Sequence, residues 1–188
     1  MGEMLIKGFR MLDGKKFYIR HAESSDANEL LLFTKDIIEQ SPYLLIEPNE
    51  YQVSFKQQQQ KVQQVLEDPS KLLLIAVFGE EIIGRLDFSV ASRKKIAHTG
   101  TFGMSVSQFF GGKGVGKALL SSLLLWGRQH PKVEKIELEV LAENKAAIHL
   151  YESAGFAVEG VKRQAVKNRF NEYDDLILMS YFFDNSSM

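Results

Sequence analysis

Residues 104–126 read MSVSQFFGGKGVGKALLSSLLLW, and the fold turns on how the three parts of this stretch join. The first part closes the run KIAHTGTFGMSVS, whose pattern predicts a strand. The last part spaces Val115, Leu119, Leu123 and Trp126 on one helical face, with Leu120 and Leu124 widening it, and predicts a helix over residues 114–129. Between them lie Gly111, Gly112, Gly114 and Gly116, with Lys113, Val115 and Lys117 in the remaining positions. A phosphate needs several backbone N–H donors at short range, and a Cβ on each residue would obstruct its approach. Placed where a helix starts, those donors also gain the positive end of the helix dipole. The stretch therefore predicts a pyrophosphate cradle, set against the plainer reading of a glycine-rich turn that holds no ligand.

Two familiar nucleotide motifs do not fit. In the P-loop a Ser or Thr follows Gly-Lys, whereas Lys117 is followed by Ala118. The dinucleotide fingerprint needs a different glycine spacing after a parallel strand, and antiparallel hairpins precede this loop.

Working outward, KKFYIRHAE reads as a strand after the turn signal Asp13-Gly14. SSDANELLLFTKDIIEQ reads as a helix with Leu30, Leu31, Phe33, Ile37 and Ile38 inward. SPYLLIEPN is expected as a loop on the substrate side. SFKQQQQKVQQVLEDP follows as a helix with a partial stripe of Phe55, Val62, Val65 and Leu66, its four glutamines on the solvated face and its end set by Pro69. KLLLIAVFG and EIIGRLDFSVA make two strands joined at Gly79-Glu80. After the long helix, KVEKIELEVL alternates as a strand, NKAAIHLYESAG is a short helix closed by Gly155, and FAVEG and YDDLILMSYFF supply further strands. The order predicts an α/β fold, a mixed and mostly antiparallel sheet covered by helices, as one domain over residues 1–188.

Composition narrows the chemistry. A formal charge of −1 gives no general attraction to nucleic acid or to an anionic membrane, so neither is expected as a partner. With no cysteine, thiolate nucleophiles, disulfides and cysteine-held metals are excluded, and no metal is expected. No run approaches the roughly 20 apolar residues of a membrane span, and no signal sequence is evident, so a cytoplasmic location is expected.

A second chemical signal lies in ENKAAIHLYESAGF, residues 143–156. Asn144 can cap the short helix, and Tyr151 sits seven residues on, two turns along the same face. The bland alternative is a cap and a core aromatic with a wet tip.

Together MSVSQFFGGKGVGKALL, IELEVLAENKAAIHLYESAGF and YDDLILM resemble the GCN5-related N-acetyltransferase (GNAT) family, over roughly residues 16–183. The closing pattern GF…EG…R…YDDLILM is most similar to the branch holding ribosomal-protein N-terminal acetyltransferases and small-amine acetyltransferases. The resemblance implies a sheet whose two central parallel strands splay to admit acetyl-coenzyme A as cosubstrate. It implies that Met104, Ser105 and Val106 pair with the pantetheine arm, and that Gly111, Gly112, Lys113, Gly114, Val115, Gly116 and Lys117 hold the pyrophosphate. Asn144 would contact the cofactor arm or an ordered water, and Tyr151 would be the general acid. The family's loop usually opens with Gln or Arg, where this chain has Gly111.

Direct transfer to a primary amine needs an oxyanion donor, for which the Val106 N–H is the candidate, and a proton for the departing thiolate. The base is left between Glu139, His98 and Glu47; His149 reads as an exposed helical residue and Arg128 as a helix C-terminal charge. The acceptor is a small molecule or a protein N-terminus, with Glu47 and Glu50 suited to attract a cationic amine. A module that binds acyl-coenzyme A without turnover is the competing reading. An apolar edge strand, LILMSYFF, would allow a homodimer.

Overall fold

The computed structural model describes residues 7–168 and 170–183. Eight strands run in the order β1-β2-β3-β4-β5-β6-β8-β7, numbered along the chain. They are β1 (Lys7–Arg10), β2 (Lys16–His21), β3 (Lys71–Phe78), β4 (Glu81–Val90), β5 (Thr99–Val106), β6 (Lys135–Leu141), β7 (Ala157–Lys167) and β8 (Tyr173–Phe182). The helices are α1 (Ala27–Gln40), α2 (Phe55–Glu67), α3 (Val115–Gln129) and α4 (Lys145–Ser153). The sheet is mostly antiparallel; β5 with β6 is the parallel pair among the described residues.

The chain folds into two compact units. One takes the residues up to Ser89 with Gly103–Leu123, the other takes Val90–Phe102 with the residues from Leu124 on. In the first, β1 to β4 form a meander, and one sheet face packs against α1 and α2. That core joins Ala27, Leu30, Phe33 and Ile37 of α1 to Val62 of α2 and to Leu73, Ile75 and Ile82 of β3 and β4. The opposite face receives the start of α3 at Gly84, where a Cβ would lie 3.1 Å from Leu119 Cδ1 and 3.3 Å from Val115 Cγ1. A side chain there would push the helix off the sheet.

The β3–β4 register pairs Ala76 with Gly84 but Val77 with Ile82, so Ile83 is an extra residue in β4. Beyond this bulge Arg85 lies opposite Ile75 and Asp87 opposite Leu73. Both charged residues therefore share the face that meets α1 and α2.

An ion pair anchors the start of α1. Arg20 donates two bonds to the Asp26 carboxylate, at 2.6 and 2.8 Å, and the Glu23 N–H donates a third at 2.7 Å. Burial pushes the Asp26 carboxyl up, but the Arg20 guanidinium and the Glu23 N–H outweigh it and hold it below its ordinary value. The Asp26→Ala variant, which leaves Arg20 partly buried without its partner, is expected to lose about 2 kcal/mol in urea unfolding at pH 7. A depressed native pKa means the contribution is full above the unfolded-state value, about pH 4, and disappears as pH falls through the lower native value. The gap between parent and variant should close over that acid range.

In the second unit β6, β8 and β7 form an antiparallel sheet, with Leu138 opposite Met179 and Val158 opposite Met179 on the other side. This corrects one expectation. β8, which contains LILMSYFF, is paired along both sides and offers no free edge for a dimer. Two smaller corrections concern helix and strand limits. The unforeseen β1 pairs with β2, and Gln58, one of the four glutamines, is buried while Phe55 and Leu66 are exposed.

Candidate active site

The end of β5 and the faces of α1 and β4 enclose a cavity of about 220 Å³ in the first unit. Met104 and Ser105 line it, together with Arg85, Asp87 and an apolar wall that includes Phe33, Ile37 and Ile38. Leu44 and Ile46, from the loop expected on the substrate side, complete that wall. Arg85 donates to Thr34 Oγ1 at 3.0 Å and to Asp87 Oδ1 at 2.5 Å, so the polar groups form one connected row. Gly103 adjoins it: a Cβ there would sit 3.5 Å from Asp87 Oδ2.

The Ser107 N–H is donated to the Ile83 carbonyl at 2.9 Å. Successive N–H groups of an extended chain point to opposite edges, so that of Val106 is directed away from β4.

After β5 a short 3-10 turn at Gln108–Phe110 leads into the glycine loop. Gly112 and Gly114 adopt φ of +68° and +92°, and a Cβ at either would meet nothing within 4 Å. Their need is conformational, not steric, and the space around them is open for a ligand. The Ala118 N–H bonds the Gly114 carbonyl at 3.0 Å, so the donors of Val115, Gly116 and Lys117 stand ahead of the intrahelical ladder. The Lys113 ammonium lies over the Phe110 ring at 5.3 Å, and the Leu12 N–H is donated to the Lys113 carbonyl, which ties the loop to the β1–β2 turn. The expected side-chain contact at Gly111 is absent by composition, and its N–H is committed to Gln108.

In the second unit Asn144 caps α4, its Oδ1 accepting the Ala147 N–H at 3.2 Å. Tyr151 follows two turns later, 8% exposed. Its ring meets Phe102 edge-on at 5.8 Å and Phe156 at 5.9 Å. Burial pushes its phenol up to about 12. Among the described residues no hydrogen bond engages the Tyr151 hydroxyl, so the ring is fixed while the polar tip is uncommitted.

The three base candidates read from the sequence do not line the cavity. Glu139 is ion-paired with Lys162, His98 precedes β5 at the end opposite Val106, and Glu47 is exposed and caps a 3-10 turn with Glu50. The carboxylate that does line it is Asp87. Arg128 donates to the Tyr181 hydroxyl at 3.1 Å, and His149 is exposed.

Residues 35–156, more than half of the chain, match the family described as Acetyltransferase (GNAT) family. The chain belongs to the GNAT acetyltransferases. Acetyl-coenzyme A is the cosubstrate of this family, and its open, donor-rich loop is compatible with the pyrophosphate of that molecule. The L-amino acid N-acetyltransferase AaaT of Escherichia coli K12 is 28% identical over 163 residues, which span 86% of this GNAT chain and 95% of that protein. The ribosomal-protein-alanine N-acetyltransferase of Brucella melitensis superposes with a TM-score of 0.77 at 25% identity, covering 88% of this chain and 99% of that one. The same GNAT fold recurs in yncA of Salmonella typhimurium, solved with acetyl-CoA, with a TM-score of 0.79 at 20% identity over 92% of this chain and 96% of that one.

Proposed function

We propose that this GNAT chain acts as one acetyltransferase domain that moves an acetyl group directly from acetyl-coenzyme A to the primary amine of a small molecule. The observation that carries the acceptor side is the cavity walled by α1, β4 and the loop after α1, which reaches Met104 and Ser105 on the strand assigned to the pantetheine arm. At about 220 Å³ it lies below the roughly 300 Å³ at which drug-sized pockets begin, and so suits an acceptor much smaller than an aminoglycoside. The similarity to AaaT, whose name gives L-amino acids as acceptors, supports a small amine.

In this reading the 111–117 loop holds the pyrophosphate and the Val106 N–H takes the developing oxyanion. The amine nitrogen forms its bond to the thioester carbonyl carbon, the C–S bond breaks, and its electron pair goes to sulfur. Asp87 receives the amine's surplus proton, directly or through water, and the Tyr151 hydroxyl donates a hydrogen bond to the sulfur, which leaves as the thiolate and takes its proton from solvent. Asn144, already used as a cap, orients the start of α4 and leaves its Nδ2 for the cofactor arm or a water.

Calorimetric titration with acetyl-coenzyme A, followed by release of free thiol with a panel of primary amines, tests the proposal. Micromolar binding and amine-dependent thiol release are expected. Failure to bind would overturn it, and binding without release for every amine would favour the non-catalytic acyl-coenzyme A module.

A further inference from the structure

A second cavity, of about 360 Å³, lies in the first unit between α2 and the sheet face made by β3 and β4. It meets the smaller cavity only at Tyr51, Arg85 and Asp87, and its volume falls in the range of small-molecule pockets. Helical spacing puts Gln58, Lys61, Val62 and Val65 on the side of α2 that covers it, and the strand register sets Lys71 opposite Ser89 and Leu73 opposite Asp87 beneath. Lys61 and Lys71, both exposed, stand at its mouth, whereas Gln58 lies further in. Gln58 is 6% exposed, yet its side-chain amide engages no hydrogen bond among the described residues. No described side-chain nitrogen or oxygen is sealed off without a partner, so this amide opens onto the cavity it lines. It offers one acceptor and two donors to whatever enters, and a group so deep is costly to leave unpaired. Arg85 and Asp87 neutralise each other, so the surplus charge of the lining comes from the two lysines. Among the described residues Lys61 enters no ion pair. Lys71 lies 3.3 Å from Asp68, but that carboxylate already accepts the Ser70 N–H and hydroxyl at 3.0 and 2.5 Å, so Lys71 can turn to a ligand without leaving it bare.

We propose that this cavity binds a small organic carboxylate that has an apolar body and a neutral hydrogen-bonding group at its far end. Lys61 and Lys71 hold the carboxylate at the mouth, Leu30, Val62 and Leu73 cover the body, and the Gln58 amide pairs with the far group. The three parts of the lining follow one another from the mouth inward, so charge, apolar surface and amide are met in that order along one molecule. A primary amine, the acceptor of the reaction proposed above, is repelled by the two ammonium groups. The site is therefore separate from the acetyl-transfer cavity, and it stands whether or not that reading does.

The test titrates the intact protein, without acetyl-coenzyme A, with 4-hydroxyphenylacetate, phenylacetate and 4-hydroxyphenylacetamide, followed by calorimetry and by the side-chain amide signals of nitrogen-15-labelled protein. 4-Hydroxyphenylacetate is expected to saturate one site with a Kd below about 1 mM, at least about tenfold tighter than the uncharged amide and about threefold tighter than phenylacetate, which lacks the far hydroxyl. Raising the salt from about 0.05 to about 0.5 M should weaken the acid and leave the amide unchanged. In Lys61→Gln the affinity of the acid falls toward that of the amide, and Lys61→Arg keeps most of the difference. In Gln58→Leu the two acids bind alike. Neither Lys61 nor Gln58 lines the smaller cavity, so these losses locate the ligand. Equal binding of acid and amide, parental affinity in both Lys61→Gln and Gln58→Leu, or no saturation by either acid up to about 10 mM would overturn the proposal. The comparison of acid with amide, and a shift of the Gln58 side-chain signals on titration, need only the parent protein, so they decide the matter even if a variant fails to fold.

Discussion

Replacing Tyr151 with phenylalanine is expected to lower kcat by about two to four orders of magnitude while leaving the acetyl-coenzyme A dissociation constant within about twofold. The structure separates the hydroxyl from the ring. The aromatic contacts to Phe102 and Phe156 are made by the ring, which phenylalanine retains. The hydroxyl engages no hydrogen bond among the described residues, so its removal breaks none of the fold's bonds. Losing a hydroxyl that bonds nothing in the fold should leave the melting temperature nearly unchanged. A fall in rate with intact stability and binding therefore reports on chemistry.

The raised pKa sets a further condition. A phenol pushed up to about 12 stays protonated throughout the pH range in which the protein would be assayed, so it is always present as a donor. It is a weaker acid than a free thiol, whose pKa is about 8.5, and its main contribution is a hydrogen bond that strengthens as charge builds on sulfur. An alkaline limb in the parent's pH–rate profile must then belong to another group. If such a limb, titrating well below 12, vanished in Tyr151→Phe, the buried phenol would be wrongly described. If kcat did not change, Tyr151 would leave the mechanism.

How far the sequence carries differs from element to element. The glycine loop and α3 were readable because a break in period, four glycines and a strong apolar stripe coincide within 20 or so residues, and local rules govern all three. Asn144 as a cap is likewise local. The Arg85–Asp87 pair was not picked out, although the two charges in EIIGRLDFSV stand out in an otherwise apolar strand. Charges two residues apart on a strand ordinarily mark the solvated face. Here both sheet faces carry helices, and which face the pair occupies is set by pairing with β3 beyond the bulge at Ile83. Neither fact is local. The same holds for β8: YDDLILMSYFF reads equally well as an edge or an internal strand, and only β7, arriving on its far side, decides. Gln58 turned inward for a related reason, since α2 presents the Gln58–Val62 side to its neighbours instead of the stripe that Phe55 and Leu66 suggest.

The second large effect is expected at Gly114. Its φ of +92° lies in a region that L side chains rarely adopt, and proline, locked near −65°, cannot reach it. Gly114→Pro should reduce acetyl-coenzyme A affinity by at least about a hundredfold, because it removes one N–H and turns the following donors of Val115, Gly116 and Lys117 away from a common point. Gly114→Ala should lie between, as its cost is that of a single strained residue, about 1–2 kcal/mol. Gly79 at the β3–β4 turn, with φ of +63°, supplies the control. Gly79→Ala carries a comparable backbone strain outside the loop, so it should lower stability by a similar amount and leave calorimetric affinity unchanged. A protein in which Gly114→Pro remains folded by circular dichroism and still binds with parental affinity would show that the loop is only a turn into α3, the plainer of the two readings of GGKGVGK. A loss confined to the Gly114 variants would instead tie the cosubstrate to the backbone of residues 111–117, independently of any side chain the loop carries.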